Sequence, residues 1–422
     1  MSNTQKYLKR YAEPEVDLLK QLPGSFSHCV CIPAYNESPE FIQRLINFLA
    51  CHGSTLAIVV LNQPDSDKQL VENNVHCKTY LQQQNECVWH KDYLQLYSIP
   101  ASAANKNCAV LLVDRFDQGL PIPKKQGVGL ARKIATDIAL QLIEQKIIQS
   151  QWIYSTDADT LLPDNYFQRP DQNDNQSIAA FVLAYQHISG GNVAIDDATQ
   201  LYEQRLKAYV DGLKFAGSPY AFNTVGSTLC INASHYAMVR GFPKRAAGED
   251  FYLLNKLRKT GEVIELDQPT VQIESRVSHR TPFGTGPAVD EILSKQALGE
   301  VEIFYHPQLF TSLKTLLQGF DDIASGFSSN EKKLAPWQSA FADSELIIKA
   351  LELMDFDLAI KHCSENSRNS KQFAMHLTHW FDGFRTLKWL HLFRDIAGYQ
   401  KICLQQYESL AMKISNYPNS SI

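Results

Sequence analysis

Residues 152–167 read WIYSTDADTLLPDNYF, an apolar run followed by two carboxylates, Asp157 and Asp159, that stand one residue apart. The apolar run predicts a buried β-strand, and the polar residues after it predict a turn at the carboxyl end of that strand. Two like charges this close repel each other, so the pattern calls for a compensating partner. A metal ion, a pair of backbone donors and water are the three candidates for that partner.

Three earlier apolar runs have the same character and predict further buried strands. They occupy residues 28–32, 56–61 and 108–113, and Pro33 is expected to end the first of them. Apolar residues at helical spacing over residues 128–143 predict a helix between the third and fourth strands. Strands that alternate with helices predict an α/β domain with a mainly parallel sheet, whose ligands bind at the carboxyl ends of the strands.

The chain divides by composition into three parts. Residues 1–24 are polar and predict an N-terminal arm, residues 25–298 carry the strand and helix alternation, and residues 299–422 read as amphipathic helices. An aromatic stripe in the last part predicts a helical core, a homo-oligomer interface or contact with a membrane surface. Its members are Trp380, Phe381, Phe384, Trp389 and Phe393.

The composition narrows the class of protein. A formal charge of −5 argues against nonspecific nucleic-acid binding, and no run approaches the roughly 18 apolar residues that span a bilayer. The N-terminal residues lack the apolar core of a secretory signal, and the nine cysteines are scattered without a CxxC pair. These features predict a cytoplasmic protein with reduced thiols and leave open a peripheral position at the inner membrane face.

The triplet formed by Asp157, Ala158 and Asp159 leaves four interpretations open when it is taken alone. It suits a solvated turn that caps the next segment, and it suits a haloacid-dehalogenase-like phosphohydrolase with Asp157 as nucleophile. That nucleophile motif has Thr or Val at its fifth position, where this chain has Leu161. A calcium loop lacks support because its alternating oxygen ligands and its glycine are missing. The fourth interpretation is a divalent metal that bridges a diphosphate.

Four short motifs favour the last interpretation. They are VCIPAYNE (30–37), GVGLARK (127–133), STDADT (155–160) and GEDFYLLNKL (248–257), and they occur in this order. Together they resemble the family 2 glycosyltransferases over about residues 26–290. The resemblance implies an enzyme of the hexosyltransferase type with the GT-A fold, a Rossmann-like mixed sheet flanked by helices. It also implies a nucleotide-diphosphate sugar as donor, an acceptor hydroxyl, and Mn²⁺ or Mg²⁺ as cofactor.

The resemblance implies a set of donor-binding residues at the strand ends and in a late loop. They are Pro33, Tyr35, Asn36, Glu37, Asn62, Arg132, Asp157 and Arg280. Tyr35 offers a stacking face for the base, and Arg132 would neutralise donor phosphate at the start of a helix. Asn62 stands where the family usually has an aspartate that contacts the base, with Asp65 as the alternative. That departure leaves the identity of the base open.

The same resemblance implies the metal ligands and the catalytic residues. Asp159 would be the direct metal ligand, with Asp157 beside it and His279 as a third ligand. Asp250 would take the proton from the acceptor hydroxyl as the general base of an inverting transfer, and Glu249 would position the acceptor or the base. An acidic pair in a first helical turn also suits the helix dipole without any catalysis. The metal and the diphosphate would then offset the repulsion between Asp157 and Asp159.

Three functions stay open after these steps. The first is the glycosyltransferase, the second is the phosphohydrolase that uses Asp157, and the third is a noncatalytic nucleotide-sugar-binding protein. The loop SRVSHRTPFGTGPAV (275–289) carries Arg276, His279 and Arg280 and would close over the diphosphate as a lid. The sequence does not fix the stereochemistry of transfer or the acceptor, which would be a small molecule, a glycan or a lipid-linked compound.

Overall fold

The computed structural model of this chain describes residues 2–100, 107–117, 120–168, 177–277, 284–297, 299, 301–327, 336–342 and 344–418. Its strands are β1 (His28–Ala34), β2 (Thr55–Asn62), β3 (Glu86–Lys91), β4 (Leu94–Ile99), β5 (Cys108–Arg115), β6 (Trp152–Ser155), β7 (Thr160–Leu161), β8 (Ile178–Ile188), β9 (Leu229–Asn232) and β10 (Glu262–Glu274). Its α-helices are α1 (Asn3–Arg10), α2 (Glu40–Cys51), α3 (Glu72–Gln84), α4 (Gly127–Glu144), α5 (Val193–Ala216), α6 (Ala233–Met238), α7 (Glu249–Leu257), α8 (Thr285–Gln296), α9 (Gln308–Ser325), α10 (Glu345–Glu352), α11 (Phe356–Glu365), α12 (Ser370–Trp380), α13 (Gly383–Ala397) and α14 (Leu404–Ala411). Short 3-10 helices lie at Pro14–Leu18, Gly226–Thr228 and Trp337–Phe341.

The chain forms two compact units. The first unit comprises Met1–Thr199 and Thr224–Asp290, and the second comprises Gln200–Asn223 and Glu291–Ile422. The sheet belongs to the first unit, whereas the second unit is helical. None of the described helices is both long enough and apolar enough to cross a membrane.

The described strands join in one mixed sheet with the order β3-β4-β5-β2-β1-β6-β9-β8-β10-β7. The neighbours β5, β2, β1 and β6 run parallel, whereas β9 is antiparallel to both β6 and β8. The mixed α/β architecture with a helical C-terminal region, which the sequence predicts, is confirmed.

The central strands are buried along almost their whole length. Every residue of β2 is buried, and so is every residue of β6. Parallel strands that are covered on both faces read as continuous apolar runs rather than as alternating ones. This is why the sequence indicates β1, β2, β5 and β6 clearly.

The expectation that Pro33 ends the first strand is wrong. β1 continues through Pro33, which lies opposite Val60 of β2, as far as Ala34. On its other side, β1 pairs with β6 only as far as Cys31. A proline lacks a backbone donor, and it is tolerated where one side of a strand has no strand partner.

One edge of the sheet is a β-hairpin that the sequence pattern did not indicate. β3 and β4 pair antiparallel around a turn at Asp92, whose φ is +52°. β3 is mostly exposed, and β4 joins it to β5 in the sheet. An exposed edge strand has no apolar run to mark it, so hydrophobic periodicity does not indicate it.

A buried hydrogen-bond network centred on Asp137 fastens the N-terminal segment to α4. Asp137 Oδ1 accepts hydrogen bonds from the hydroxyls of Tyr7 (2.5 Å) and Tyr236 (2.8 Å). Its Oδ2 accepts from Nζ of Lys133 and from the backbone N of Glu13, both at 2.9 Å. Four donors satisfy this fully buried carboxylate, as a buried charge requires.

The aromatic stripe predicted in the C-terminal part lies mostly inside the second unit. Phe381, Trp389 and Phe393 are buried, and the rings of the last two stack with centroids 4.8 Å apart. Trp380 is half-buried, and Phe384 is exposed. The stripe therefore belongs mainly to a helical core, and its role in a homo-oligomer stays a prediction.

Candidate functional site

Two arginines compensate the charges of the acidic turn. The turn follows β6 directly, and Asp157 Oδ1 accepts a hydrogen bond from Nη2 of Arg132 on α4 at 2.6 Å. Asp159 Oδ2 accepts from Nη2 of Arg276, which follows β10, at 2.5 Å. The repulsion that the sequence predicts between the two carboxylates is thus offset by two separate cations within the chain.

Arg132 lies inside the protein and connects two of the predicted motifs. It is 2% exposed, its Nε donates to Glu249 Oε1 at 2.8 Å, and its Nη1 donates to Ser155 Oγ at 3.0 Å. Burial alone would lower the pKa of Arg132, but the charges of Asp157 and Glu249 raise it above its usual value. Arg132 therefore holds the acidic turn and the start of α7 together as a permanent cation.

Glycine at position 226 lets the chain pass against Arg132 and Asp250. A Cβ at Gly226 would lie 2.5 Å from Arg132 Nη2 and 3.3 Å from Asp250 Oδ2. The first distance is shorter than a non-bonded contact allows, so a larger residue would displace the guanidinium. This close approach places Asp250 beside the arginine that already holds Asp157 and Glu249.

The glycines of the motif GVGLARK have a similar packing role. Gly129 N donates to the carbonyl of Arg245 at 2.9 Å, and a Cβ at Gly129 would lie 2.4 Å from the carbonyl oxygen of Pro243. The segment from Pro243 leads to Gly248, which has a φ of +71° and is the N-cap residue of α7. The first turn of α4 and the first turn of α7 are thus fixed relative to each other by direct backbone contact.

Asp250 has the titration behaviour of a group that exchanges a proton near neutral pH. Burial raises the pKa of Asp250 to about 7, and the charge of Glu249 adds to the rise. The backbone N of Phe251, which donates to Asp250 Oδ1 at 2.7 Å, and Arg132 both oppose it. Perturbed acids of this kind concentrate at functional sites, although structural networks produce them too.

The loop after β1 reaches the same site through Glu37. Arg276 donates from Nη2 to Glu37 Oε1 at 2.9 Å and from Nη1 to Glu37 Oε2 at 3.2 Å. Burial raises the pKa of Glu37 to about 7, and Arg276 opposes the rise. Since Arg276 also binds Asp159, one guanidinium joins the loop after β1, the turn after β6 and the segment after β10.

Other residues of this loop are held by side-chain amides. Asn36 has a φ of +55°, and its backbone N donates to Asn74 Oδ1 at 3.0 Å. Nδ2 of Asn74 donates in turn to the backbone carbonyl of Asn62 at 2.9 Å, which joins the ends of β1 and β2. The hydroxyl of Tyr35 donates to Asp67 Oδ2 at 3.0 Å. These bonds place Tyr35, Asn36 and Asn62 at one edge of the sheet.

The five carboxylates and two arginines form what we call the carboxylate site: Glu37, Asp157, Asp159, Glu249, Asp250, Arg132 and Arg276. Four carboxylates share the two arginines, and Asp250 forms no ion pair with any described residue. Burial raises the pKa of Asp157 to about 6; Arg132 opposes the rise, and Asp159 and Glu249 add to it. The site therefore gathers more negative than positive charge.

The donor atoms of this site fit Mg²⁺ or Mn²⁺, which prefer carboxylate oxygens. Within the described ranges, no three His, Cys, Asp or Glu side chains are arranged to hold a metal by themselves. Asp157 and Asp159 would thus need phosphate or water oxygens to complete a coordination shell. His279 and Arg280 lie outside the described residues, so their predicted roles stay predictions.

Two of the donor-binding residues that the resemblance implies have other surroundings in the structure. Arg132 faces carboxylates in the interior, and Pro33 lies within β1. Asp65, the alternative to Asn62, accepts a hydrogen bond from the backbone N of Lys124 at 2.9 Å. Arg276 was predicted only as one cation of the loop, but it is the residue that joins three segments. The signal that could have found it is its position directly after a strand, at the edge where ligands bind.

Comparison with known proteins adds little. No family model matches this chain, and no curated protein matches it. Among 52 matching chains of solved structures is one described as a crystal structure of a mycobacterial protein. It is 11% identical with a TM-score of 0.30, and the match covers 67% of this chain and 77% of that chain. A likeness this distant carries no argument about fold or activity.

Proposed function

We propose that this protein is a metal-dependent glycosyltransferase of the GT-A type, which moves a sugar from a nucleotide-diphosphate sugar to an acceptor hydroxyl. One observation carries the proposal. Residues from all four motifs that resemble family 2 glycosyltransferases meet in the carboxylate site, although up to 213 positions separate them, from Glu37 to Asp250. The carboxyl ends of parallel strands meet at one edge of any such sheet, but here each of the four motifs also contributes a charged side chain to one network of ion pairs.

The donor would lie at the carboxyl ends of β1, β2 and β6. Tyr35, Asn36 and Asn62 supply an aromatic face and amide groups for a nucleoside. The side chain of Arg276 is 33% exposed and that of Arg132 is 3% exposed, so Arg276 is the better placed to meet a diphosphate. Arg132 would act indirectly, because it fixes Asp157 and Glu249.

The acidic turn would hold the cofactor. Asp157 and Asp159 offer the oxygen ligands, and Mn²⁺ or Mg²⁺, when bound, would neutralise charge on the diphosphate as it leaves. A cation there would also offset the excess of carboxylates around Arg132 and Arg276.

Asp250 would take the proton from the acceptor hydroxyl while that oxygen attacks the anomeric carbon, which inverts the configuration. A pKa of about 7 suits a base that accepts a proton at neutral pH and releases it afterwards. Glu249 is tied to Arg132 and would position Asp250 or the acceptor rather than exchange a proton. The acceptor would be a small molecule, a glycan or a lipid-linked compound, met at the cytoplasmic side.

Thermal melting with a panel of nucleoside diphosphates, with and without Mn²⁺, tests the donor site. Ligands that bind the native state raise the melting temperature, so one nucleotide should do so only with metal. Asp159→Ala should lose that shift, whereas the same change at the exposed Asp164, five residues along the chain, should keep it. A panel in which no nucleotide shifts the wild-type protein under any metal condition contradicts the proposal.

Turnover separates the transferase from the two alternatives. Asp250→Asn should still bind nucleotide with metal but should no longer transfer sugar. A noncatalytic binding protein would behave identically before and after this change. A phosphohydrolase would instead form a covalent phosphoryl adduct at Asp157, which mass spectrometry of the intact chain would detect.

A further inference from the structure

The second unit gathers four cationic side chains from separate segments of the chain. Arg205 lies on α5, Lys295 on α8 and Arg394 on α13, and Lys401 follows α13. We call these four residues the cationic cluster. The charges of Arg205, Lys295 and Arg394 each act on Lys401, so this lysine lies within electrostatic reach of the other three cations.

Backbone pairing and a hydrogen bond place two further polar groups beside the cluster. Phe304 and Ile402 pair through reciprocal backbone hydrogen bonds of 3.0 and 3.1 Å, which brings Tyr305 and Lys401 next to each other. The hydroxyl of Tyr305 shares a hydrogen bond of 2.7 Å with Nε2 of His391. A hydroxyl and an imidazole thus border the cations.

Two cations of the cluster have carboxylate partners. Lys295 pairs with Glu291 at 2.5 Å, and Arg394 pairs with its neighbour Asp395 at 2.7 Å. Both carboxylates are more than half exposed, so water screens these pairs.

The other two cations have no such partner in the part of the chain that the structure describes. Arg205 lies over the ring of Tyr202 at 4.9 Å, and Lys401 has neither an ion pair nor a side-chain hydrogen bond there. Two cations of the cluster therefore form no ion pair with a described carboxylate, and the charge of Glu291, which pairs with Lys295, is shared with both of them.

The proximity of these charges opposes their ionisation. Burial lowers the pKa of Lys401, and Arg205 and Lys295 lower it further, against the single opposing charge of Glu291. Burial likewise lowers the pKa of His391, with Arg394 and Lys401 adding to the effect and Asp395 opposing it. A bound anion would relieve this repulsion, and the fold holds the cations together without one.

We propose that the cationic cluster binds a phosphate dianion, carried either by a soluble phosphate ester or by a lipid headgroup. Arg205 would supply a planar fork of donors and Lys401 a point charge, which together match the oxygens of one phosphate group. The hydroxyl of Tyr305 would add a hydrogen bond. Four cations from separate segments suit one compact anion better than a long polyanion, and the charge of −5 disfavours nucleic acid. This proposal does not rest on the glycosyltransferase.

Thermal melting of the full-length protein in inorganic phosphate tests the cluster, with EDTA present so that metal-dependent binding does not contribute. At ten times its dissociation constant, phosphate should raise the melting temperature by about 3 °C relative to chloride at equal ionic strength. Lys401→Gln and Arg205→Gln should each lose most of that shift. Lys413→Gln, at an exposed lysine of the same unit, should keep it. A shift that survives both cluster variants overturns the proposal.

Stability without phosphate gives a second readout. Lys401→Gln removes one of several crowded cations, so at low salt it should melt at or above the wild-type temperature. Lys401→Arg restores the charge and should restore the phosphate shift. If Lys401→Gln melts well below wild type without phosphate, the lysine is a structural element and the proposal fails.

Sedimentation with phosphatidylcholine vesicles, with and without phosphatidic acid, whose headgroup is a phosphate monoester, identifies the source of the phosphate. Binding only to the anionic vesicles, lost in Lys401→Gln, supports a lipid headgroup. A phosphate shift without vesicle binding supports a soluble phosphate ester. The absence of both effects overturns the proposal.

Discussion

The carboxylate site in the first unit and the cationic cluster in the second unit both bring like charges together. They differ in how many of those charges have a partner of opposite charge. In the carboxylate site, two arginines pair with four of five carboxylates at 2.5 to 2.9 Å. In the cationic cluster, two exposed carboxylates pair with two of four cations. The first arrangement fixes the geometry of its groups, whereas the second leaves charge available to a ligand.

The difference follows from burial. A buried charge must find a partner, because removal from water carries a free-energy penalty of several kcal/mol, whereas a half-exposed cation keeps much of its hydration. Arg132 is 2% exposed and has three carboxylates around it, but Lys401 is only half-buried and has none paired. The buried arginine therefore needs carboxylate partners within the chain, whereas the half-exposed lysine is stabilised by water and stays free to pair with an anion.

Replacement of Arg132 is expected to cause the largest loss of stability. Arg132→Gln leaves Asp157 and Glu249 without their shared cation, and removal of one partner of a buried ion pair lowers the free energy of unfolding by about 3–5 kcal/mol. Urea denaturation measures the change. A loss below about 1 kcal/mol would show that water compensates these carboxylates as it does at a surface pair.

Asp250→Asn is expected to lower the rate of sugar transfer by about 10²–10⁴-fold, the usual contribution of a general base. Initial-rate kinetics with a donor found by the nucleotide panel measures the loss. Wild-type kcat/KM should rise with pH up to about 7 and then level off, because the base works only when it is unprotonated. A flat profile would contradict the assignment.

The difference in stability between Asp250→Asn and the wild-type protein should depend on pH. The pKa of Asp250 in the folded protein is about 7, above its unfolded value, so the protonated form stabilises the fold and that stabilisation is lost as pH rises toward 7. The neutral Asn should therefore gain stability relative to wild type between pH 5 and pH 8. A constant difference across that range would mean that Asp250 titrates normally.

Gly226→Ala should disturb the contact between Arg132 and Asp250. The added methyl would meet Arg132 Nη2, and overpacking of this kind lowers the free energy of unfolding by about 1–3 kcal/mol. Gly326→Ala is the matched control, because a Cβ there would meet only ordinary contacts at 3.6 Å or more. Equal stability of the two variants in urea would contradict the packing argument.

Arg276→Gln should have the smallest effect on stability, at most about 1 kcal/mol, because the side chain of Arg276 is one-third exposed and water screens its ion pairs. The same change should abolish most of the metal-dependent shift given by nucleotide. A stability loss as large as that of Arg132→Gln would remove the contrast between the two arginines.

The sequence indicates the strands and the carboxylates of this protein better than it indicates their partners. β1, β2, β5 and β6 are mostly apolar, and the residues after β1 and β6 carry three of the five acids of the carboxylate site. The hairpin β3–β4 escapes prediction because β3 is exposed on both faces. Fully buried strands can be predicted from the sequence because strands that are covered on both faces consist almost entirely of apolar residues.

The pairing of Arg276 could not be predicted, because it depends on registers that distant segments set. β10 pairs with β7 through Ile273 and Thr160, and this contact brings Arg276, two residues after the end of β10, to the acidic turn. The position of the Arg132 side chain depends likewise on a tertiary contact, in which the backbone N of Gly129 at the start of α4 donates a hydrogen bond to the carbonyl of Arg245. Such registers depend on contacts between residues far apart in the chain, whereas hydrophobic periodicity describes only residues that are close together in it.

The network around Asp137 has a practical consequence for anyone who shortens this chain. Removal of the first thirteen residues would delete two of its four donors, the hydroxyl of Tyr7 and the backbone N of Glu13. Lys133 and Asp137 would then face water on the same helix that carries Arg132. A trimmed version that starts at the first strand should therefore express poorly, and tags are better placed behind a spacer before Ser2, which caps α1.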